Sequence, residues 1–120
     1  MVNNYKDLII WQKSHKIAME VFAMFKQSKK TGASYEIWKQ LIRSTFSVPA
    51  NIVEGYYSHK GLNYASRLNT AKGEAGESDY WLLVLSETGD VSKETYESLS
   101  NQILEVIKML SGMRNKLIAK

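Results

Sequence analysis

The chain has 120 residues, 44% hydrophobic and 23% charged, with one proline, no cysteine and a formal net charge of +4. That length suits one domain, residues 1–120, which can bury a core without staples; the composition excludes disordered, fibrous and membrane-spanning classes, and the lack of cysteine excludes disulfides and thiolate metal sites and fits the reducing cytoplasm. The charge is uneven: residues 1–60 carry nine Lys and Arg against four Asp and Glu, residues 61–120 seven against eight, so the basic surface is expected mainly from the first half.

Leu8, Trp11, His15, Ala18, Phe22 and Phe25 recur at steps of three and four and predict a first helix with these residues on its buried stripe. It should end near Lys29-Lys30-Thr31-Gly32, where cations suit the negative end of the helix dipole and glycine can turn left-handed. Ser34 reads as the N-cap of a second helix, and Ile37, Leu41, Ser44, Val48, Asn51 and Gly55 keep the same spacing straight through Pro49. The expectation is therefore a continuous helix kinked at Pro49, with Asn51 satisfying a polar group at the joint and Glu54 pairing with a neighbouring cation.

A third stripe runs Tyr64, Leu68, Ala71, Ala75, Ser78, Leu82 and Leu85, with small residues Ala71, Gly73, Ala75 and Gly76 where another helix could approach closely. The fourth starts after Gly89-Asp90 with Ser92 as its cap and places Tyr96, Leu99, Ile103, Val106, Leu110, Met113 and Leu117 on one face. No stretch alternates with period two, and the connections are short. The fold class is all-α, an up-down antiparallel four-helix bundle.

Catalytic chemistry finds little support. A di-iron bundle needs two Glu-x-x-His pairs, whereas the two histidines, His15 and His59, follow Gln12 and Tyr56 at that spacing. No metal or cofactor is expected. His15 reads as a core imidazole donating to a neighbouring helix, and Glu74, Glu77 and Asp79 as a solvated or salt-bridged face rather than an acid–base pair. Gly73-Glu74-Ala75-Gly76 has the wrong glycine spacing for a nucleotide loop. Most aromatic residues read as packing; Tyr56 and Tyr57, close to His59 and Lys60, are the better base-stacking candidates.

Tyr5-Lys6-Asp7-Leu8-Ile9-Ile10-Trp11-Gln12-Lys13, Gln40-Leu41-Ile42-Arg43, Ser47 through Gly55, Gly73 through Glu77 with Asp79, and Glu105 through Leu110 together resemble the small bacterial proteins encoded in intervening sequences of 23S ribosomal RNA genes. The resemblance covers most of the chain and makes Pro49, Asn51, Glu54 and Gly55 a structural signature. It implies no catalytic activity, a homopentamer, and kinship with accessory proteins of diversity-generating retroelements, which bind nucleic acid and a reverse transcriptase.

Two readings of the surface follow. If helix one buries the stripe named above, Lys6, Lys13 and Lys16 lie opposite it, and Lys39 and Arg43 pair outward on helix two; with Lys60 they form either a surface that tracks RNA or DNA phosphates or a solvated face, the charge then being incidental to a purely structural or protein-recruiting oligomer. Ile9, Ile10, Trp38, Tyr80, Trp81, Leu83 and Ile107 exceed what one small bundle needs, which predicts a homo-oligomer.

Overall fold

The computed structural model describes residues 4–29, 32–58 and 61–119. A short 3-10 turn, Tyr5–Asp7, leads into four helices: α1 (Ile9–Gln27), α2 (Gly32–Ser58), α3 (Gly61–Glu87) and α4 (Lys93–Ile118). Among the described residues each helix packs on its two neighbours in the cycle α1, α2, α3, α4, and the diagonal pairs do not meet. The result is an up-down antiparallel bundle measuring 47 × 21 × 21 Å. No described helix is long and apolar enough to cross a membrane.

The ends follow ordinary capping chemistry. Ser92 Oγ accepts from the Thr95 amide at 3.1 Å, as an N-cap should. α3 stops in a Schellman turn: Asp90 N donates to Leu85 O, Gly89 N donates to Ser86 O, and Gly89 sits at φ +85, a conformation that glycine adopts without strain. Val91 is then tucked into the core. Ser34 is a different matter. It lies inside α2 rather than capping it, and its hydroxyl donates to Asp90 Oδ2 at 2.9 Å, tying the start of α2 to the α3–α4 turn. Gly32, at φ +59, leads the chain into α2; Lys30 and Thr31 lie outside the described residues.

The expected stripes of α3 and α4 enter the core, with Leu68, Ala71, Ala75, Ser78, Leu82 and Leu85 meeting Leu99, Ile103, Val106 and Leu110. On α2, Leu41, Ser44, Val48, Asn51 and Gly55 are buried as spaced, joined by Trp38, Thr45, Pro49 and Ile52. α1 corrects the expectation: its buried residues are Ile10, Ser14, Ile17, Ala18 and Val21, so the inward face is turned by about one residue, roughly 100°. Branched and small side chains fill the narrow centre, while the large rings move to the α1–α2 flank. There Phe22 meets Phe46 edge-on with centroids 6.2 Å apart, and Phe25 lies 6.0 Å from Trp38. His15 is half-buried and lies flat on Trp11, 4.6 Å away, instead of in the core.

α2 runs without interruption through Pro49. Proline has no amide, so the carbonyl of Thr45 loses its usual helical donor. The neighbouring polar groups are held within the helix. Asn51 Nδ2 donates to Ser47 O at 2.8 Å and to Ser47 Oγ at 3.0 Å, and the Ser44 and Thr45 hydroxyls donate to Leu41 O. One turn further on, Glu54 pairs with Arg67 of α3 at 3.0 Å.

Gly55 has a steric role that its place in the stripe did not reveal. A Cβ there would lie 2.6 Å from Tyr64 Cδ1 and 3.2 Å from Arg67 Cβ, so α2 and α3 can meet this closely only over a bare backbone. Gly73 and Gly76 are the reverse: both are exposed, and a Cβ at either meets nothing within 4 Å among the described residues, so the close helix approach expected there is made by Ala71 and Ala75 instead. Overpacking costs about 1–3 kcal/mol, against about 1 kcal/mol gained when alanine replaces a helical glycine. Gly55→Ala is therefore expected to lower the unfolding midpoint, while Gly76→Ala raises stability by about 0.5–1 kcal/mol. Urea unfolding of the two variants beside the parent measures both signs.

Candidate nucleic-acid interface

Midway along the bundle Ser14, Ile17, Thr45, Val48, Ala75, Ser78, Ile103 and Val106 surround a void with room for about one water. Its polar neighbours are satisfied internally: Ser14 donates to Trp11 O, and Ser78 Oγ donates to Ser44 Oγ at 2.7 Å, which in turn donates to Leu41 O. This layer divides the molecule into two ends. On one side lie the Tyr5–Asp7 turn, the end of α2, the start of α3 and the end of α4; on the other lie the α1–α2 and α3–α4 connections.

Charge separates between these ends. Below the layer, among the described residues, Lys6, Lys13, Arg67, Lys72, Lys108, Arg114 and Lys116 face Asp7, Glu54 and Glu74. Above it, Lys26, Lys29, Lys39, Arg43 and Lys93 are outnumbered by Glu20, Glu36, Asp79, Glu87, Asp90, Glu94 and Glu97. One end is strongly basic and the other mildly acidic. The backbone of Leu117 comes within 3.8 Å of a Cβ placed on Gly61, so the α4 terminus, with Arg114 and Lys116, shares the basic end with the start of α3. Lys72, Lys108, Arg114 and Lys116 form no ion pair among the described residues.

The cations that helical spacing singled out are dispersed. Lys13 reaches across the α1–α4 seam to Glu105 at 3.3 Å, and Lys16, beside it in the same cleft, lies 4.0 Å from Glu20. Lys39 pairs with Glu36 at 3.2 Å and covers the Tyr35 ring. Arg43 points to the α2–α3 seam, on the opposite side of the bundle from Lys13, where Glu74 accepts from it at 3.2 Å and Glu77 accepts a second, shorter bond. Lys6 is exposed beside the Tyr5 ring. Lys60 and His59 lie outside the described residues. The fold thus places Arg43 and Lys13 on opposite seams instead of on one face.

Arg43 with Glu74 and Glu77 carries a net negative charge, a poor place for phosphate. Trp81 Nε1 donates to the same Glu77 carboxylate at 2.9 Å. The Trp81 bond first, then Arg43, hold Glu77 below its ordinary value of 4.5, and the hydrogen bond to Glu77 raises Arg43. Asp79 accepts from Ser100 of α4, so the acidic run of α3 serves packing between helices. Among the described residues no group of three or more His, Asp or Glu is placed to hold a metal ion.

At the basic end the rings form a connected chain that spacing could not show. Tyr5 meets Trp11 edge-on at 5.1 Å and Tyr57 at 6.2 Å, and Tyr57 meets Tyr56 at 5.4 Å. Tyr56 adds to the effect of burial in raising the Tyr64 phenol above its ordinary value. Of the residues expected to be surplus apolar surface, Ile10 and Trp38 are each 2% exposed and belong to this bundle's own core, whereas Ile9 and Tyr80 stand 59% and 55% exposed.

A family model for 23S rRNA-intervening sequence proteins matches residues 6–112. The chain belongs to that family. Its fold is similar to the crystal structure of a protein of unknown function from the S23 ribosomal protein family of Bacteroides thetaiotaomicron, at 30% identity and a TM-score of 0.80, over 88% of this chain and 98% of that one. No curated protein matches. The matched segment contains α1, α2 and α3 whole and most of α4, so the polar layer, Gly55 and the Arg43 cluster all lie within the family's span.

Because its folded value is depressed, Glu77 contributes stability that is fully present above about pH 4.5 and is lost as pH falls through that lower value. The carboxylate is partly open to solvent, which keeps the effect to about 1 kcal/mol or less. Glu77→Gln is expected to flatten the fall in stability on the acid side of pH 4.5, read by urea unfolding across pH.

Proposed function

We propose that this 23S rRNA-intervening sequence protein is a non-catalytic, oligomeric nucleic-acid-binding scaffold whose basic end carries the interface. The observation that supports this most is the collection of Lys6, Lys72, Lys108, Arg114 and Lys116 at one end, without carboxylate partners among the described residues, together with the exposed ring of Tyr57. Phosphates are held by cations with charge to spare, and affinity then depends on counterion release. Lys13, Lys16, Lys39 and Arg43 each have a carboxylate partner and contribute less.

Self-association is the second part of the proposal. Ile9, Tyr80, Leu62 and Leu104 remain exposed in a single chain, and a cyclic assembly that covers some of them would bring several basic ends together, raising avidity where one strand spans them. Five copies is the number that the family resemblance implies. Light scattering at micromolar concentration is expected to report an assembly; a monomer refutes this part.

The charge reading is tested with labelled single-stranded RNA and duplex DNA over a salt series. Binding is expected to weaken with a log–log slope of roughly −0.7 per neutralised phosphate for the single strand and about −0.9 for duplex. Replacing Lys6, Lys108, Arg114 and Lys116 together by glutamine should weaken binding to both and flatten the slope, while Lys39→Gln leaves both unchanged. Equal affinity and slope in the quadruple variant would show the basic end to be the wrong surface.

A further inference from the structure

We propose that the ring chain at the basic end is a stacking platform for unpaired bases, with Tyr57 as its contact ring, so that the protein prefers single-stranded nucleic acid over duplex. This rests on the nucleic-acid reading above and extends it to the form of the ligand.

Tyr57 stands in the last turn of α2 and is 61% exposed. A single exposed tyrosine means little. This one is the exposed member of a continuous series: His15 lies flat on half-buried Trp11, Trp11 meets Tyr5, Tyr5 meets Tyr57, and Tyr57 meets Tyr56. Both neighbours contact Tyr57 at steep angles, 64° and 87°, so they fix the ring without stacking flat upon it. A planar base can lie against it with little ordering left to do, because the ring is already braced from the α1 flank.

The surrounding charge selects the occupant. Lys6 Nζ lies 5.9 Å from the centre of the Tyr5 ring, and Arg114 and Lys116 come to the same end on α4. An exposed ring at an end whose cations lack carboxylate partners among the described residues matches a polyanion that also carries flat apolar faces, which is a nucleic-acid strand with its bases unpaired. In a duplex the base faces are covered by their neighbours, so it can use the cations but not the rings.

The test compares Tyr57→Ala and Tyr57→Phe with the parent, using oligouridylate, an oligothymidylate of the same length, its duplex, and an abasic strand of equal charge. Tyr57 is exposed at a helix end, and circular dichroism with urea unfolding confirms that each variant folds. Tyr57→Ala is expected to weaken binding to both single strands roughly 5- to 100-fold, as loss of one base–aromatic stack does. Its binding to the duplex and the abasic strand should stay unchanged, and Tyr57→Phe should bind like the parent. A strand carrying 5-iodouracil should crosslink to Tyr57. If Tyr57→Ala leaves single-strand affinity intact, or weakens duplex and single strand equally, the platform is wrong while the basic interface stands. If the parent binds none of the four probes, the nucleic-acid reading itself fails.

Discussion

The rest of the bundle depends on how closely α2 approaches α3. Gly55 lets the Tyr64 ring lie where a Cβ would otherwise stand, Ser44 and Ser78 touch at the middle of the core, and Arg43 bridges Glu74 and Glu77 at the same height on the surface. Each contact limits where the next can form. A shift of one helical turn would put Tyr64 against a side chain, separate two buried hydroxyls and open the ion cluster, so the pairing has one good register. Pro49 lies between these contacts, next to Asn51, whose Nδ2 donates to Ser47 O and Oγ.

That register also governs the electrostatics. Antiparallel folding lays the end of α4 beside the start of α3 and the end of α2, so cations far apart in the chain gather at one end while the acidic residues of the second half collect at the other. Counting charge along the chain gives a basic first half, but a helical bundle does not keep sequence halves apart. Lys39 and Arg43 belong to the basic half of the sequence and to the acidic end of the molecule. Lys108, Arg114 and Lys116 belong to the acidic half of the sequence and to the basic end.

The aromatic residues show the same divide between local pattern and assembled surface. Trp38 has the look of a spare ring beside its stripe, yet it fills the top of the core against Phe25. Tyr5 and Tyr57, fifty-two positions apart, become neighbours only when the turn before α1 folds onto the end of α2. The free valency of the surface, in rings as in charges, is what remains after intramolecular partners have been taken.

The four helices, the cap at Ser92 and the inward faces of α2, α3 and α4 were legible in the sequence, because each depends on spacing within one helix or on the capping chemistry of one residue. The motifs at Tyr5–Lys13 and Ser47–Gly55 likewise pointed to the family. The inward face of α1 was not legible, since that helix is apolar over a wide arc and Ser14 interrupts the stripe that is buried; which arc faces in depends on whether rings or branched chains fit between α2 and α4. The pairing of Lys13 with Glu105 and of Arg43 with Glu74 and Glu77, the steric need for Gly55, and the meeting of Tyr5 with Tyr57 were decided by the tertiary structure alone. Each is a contact between separate segments of the chain, whose distance is set by helix packing and by nothing in the local sequence.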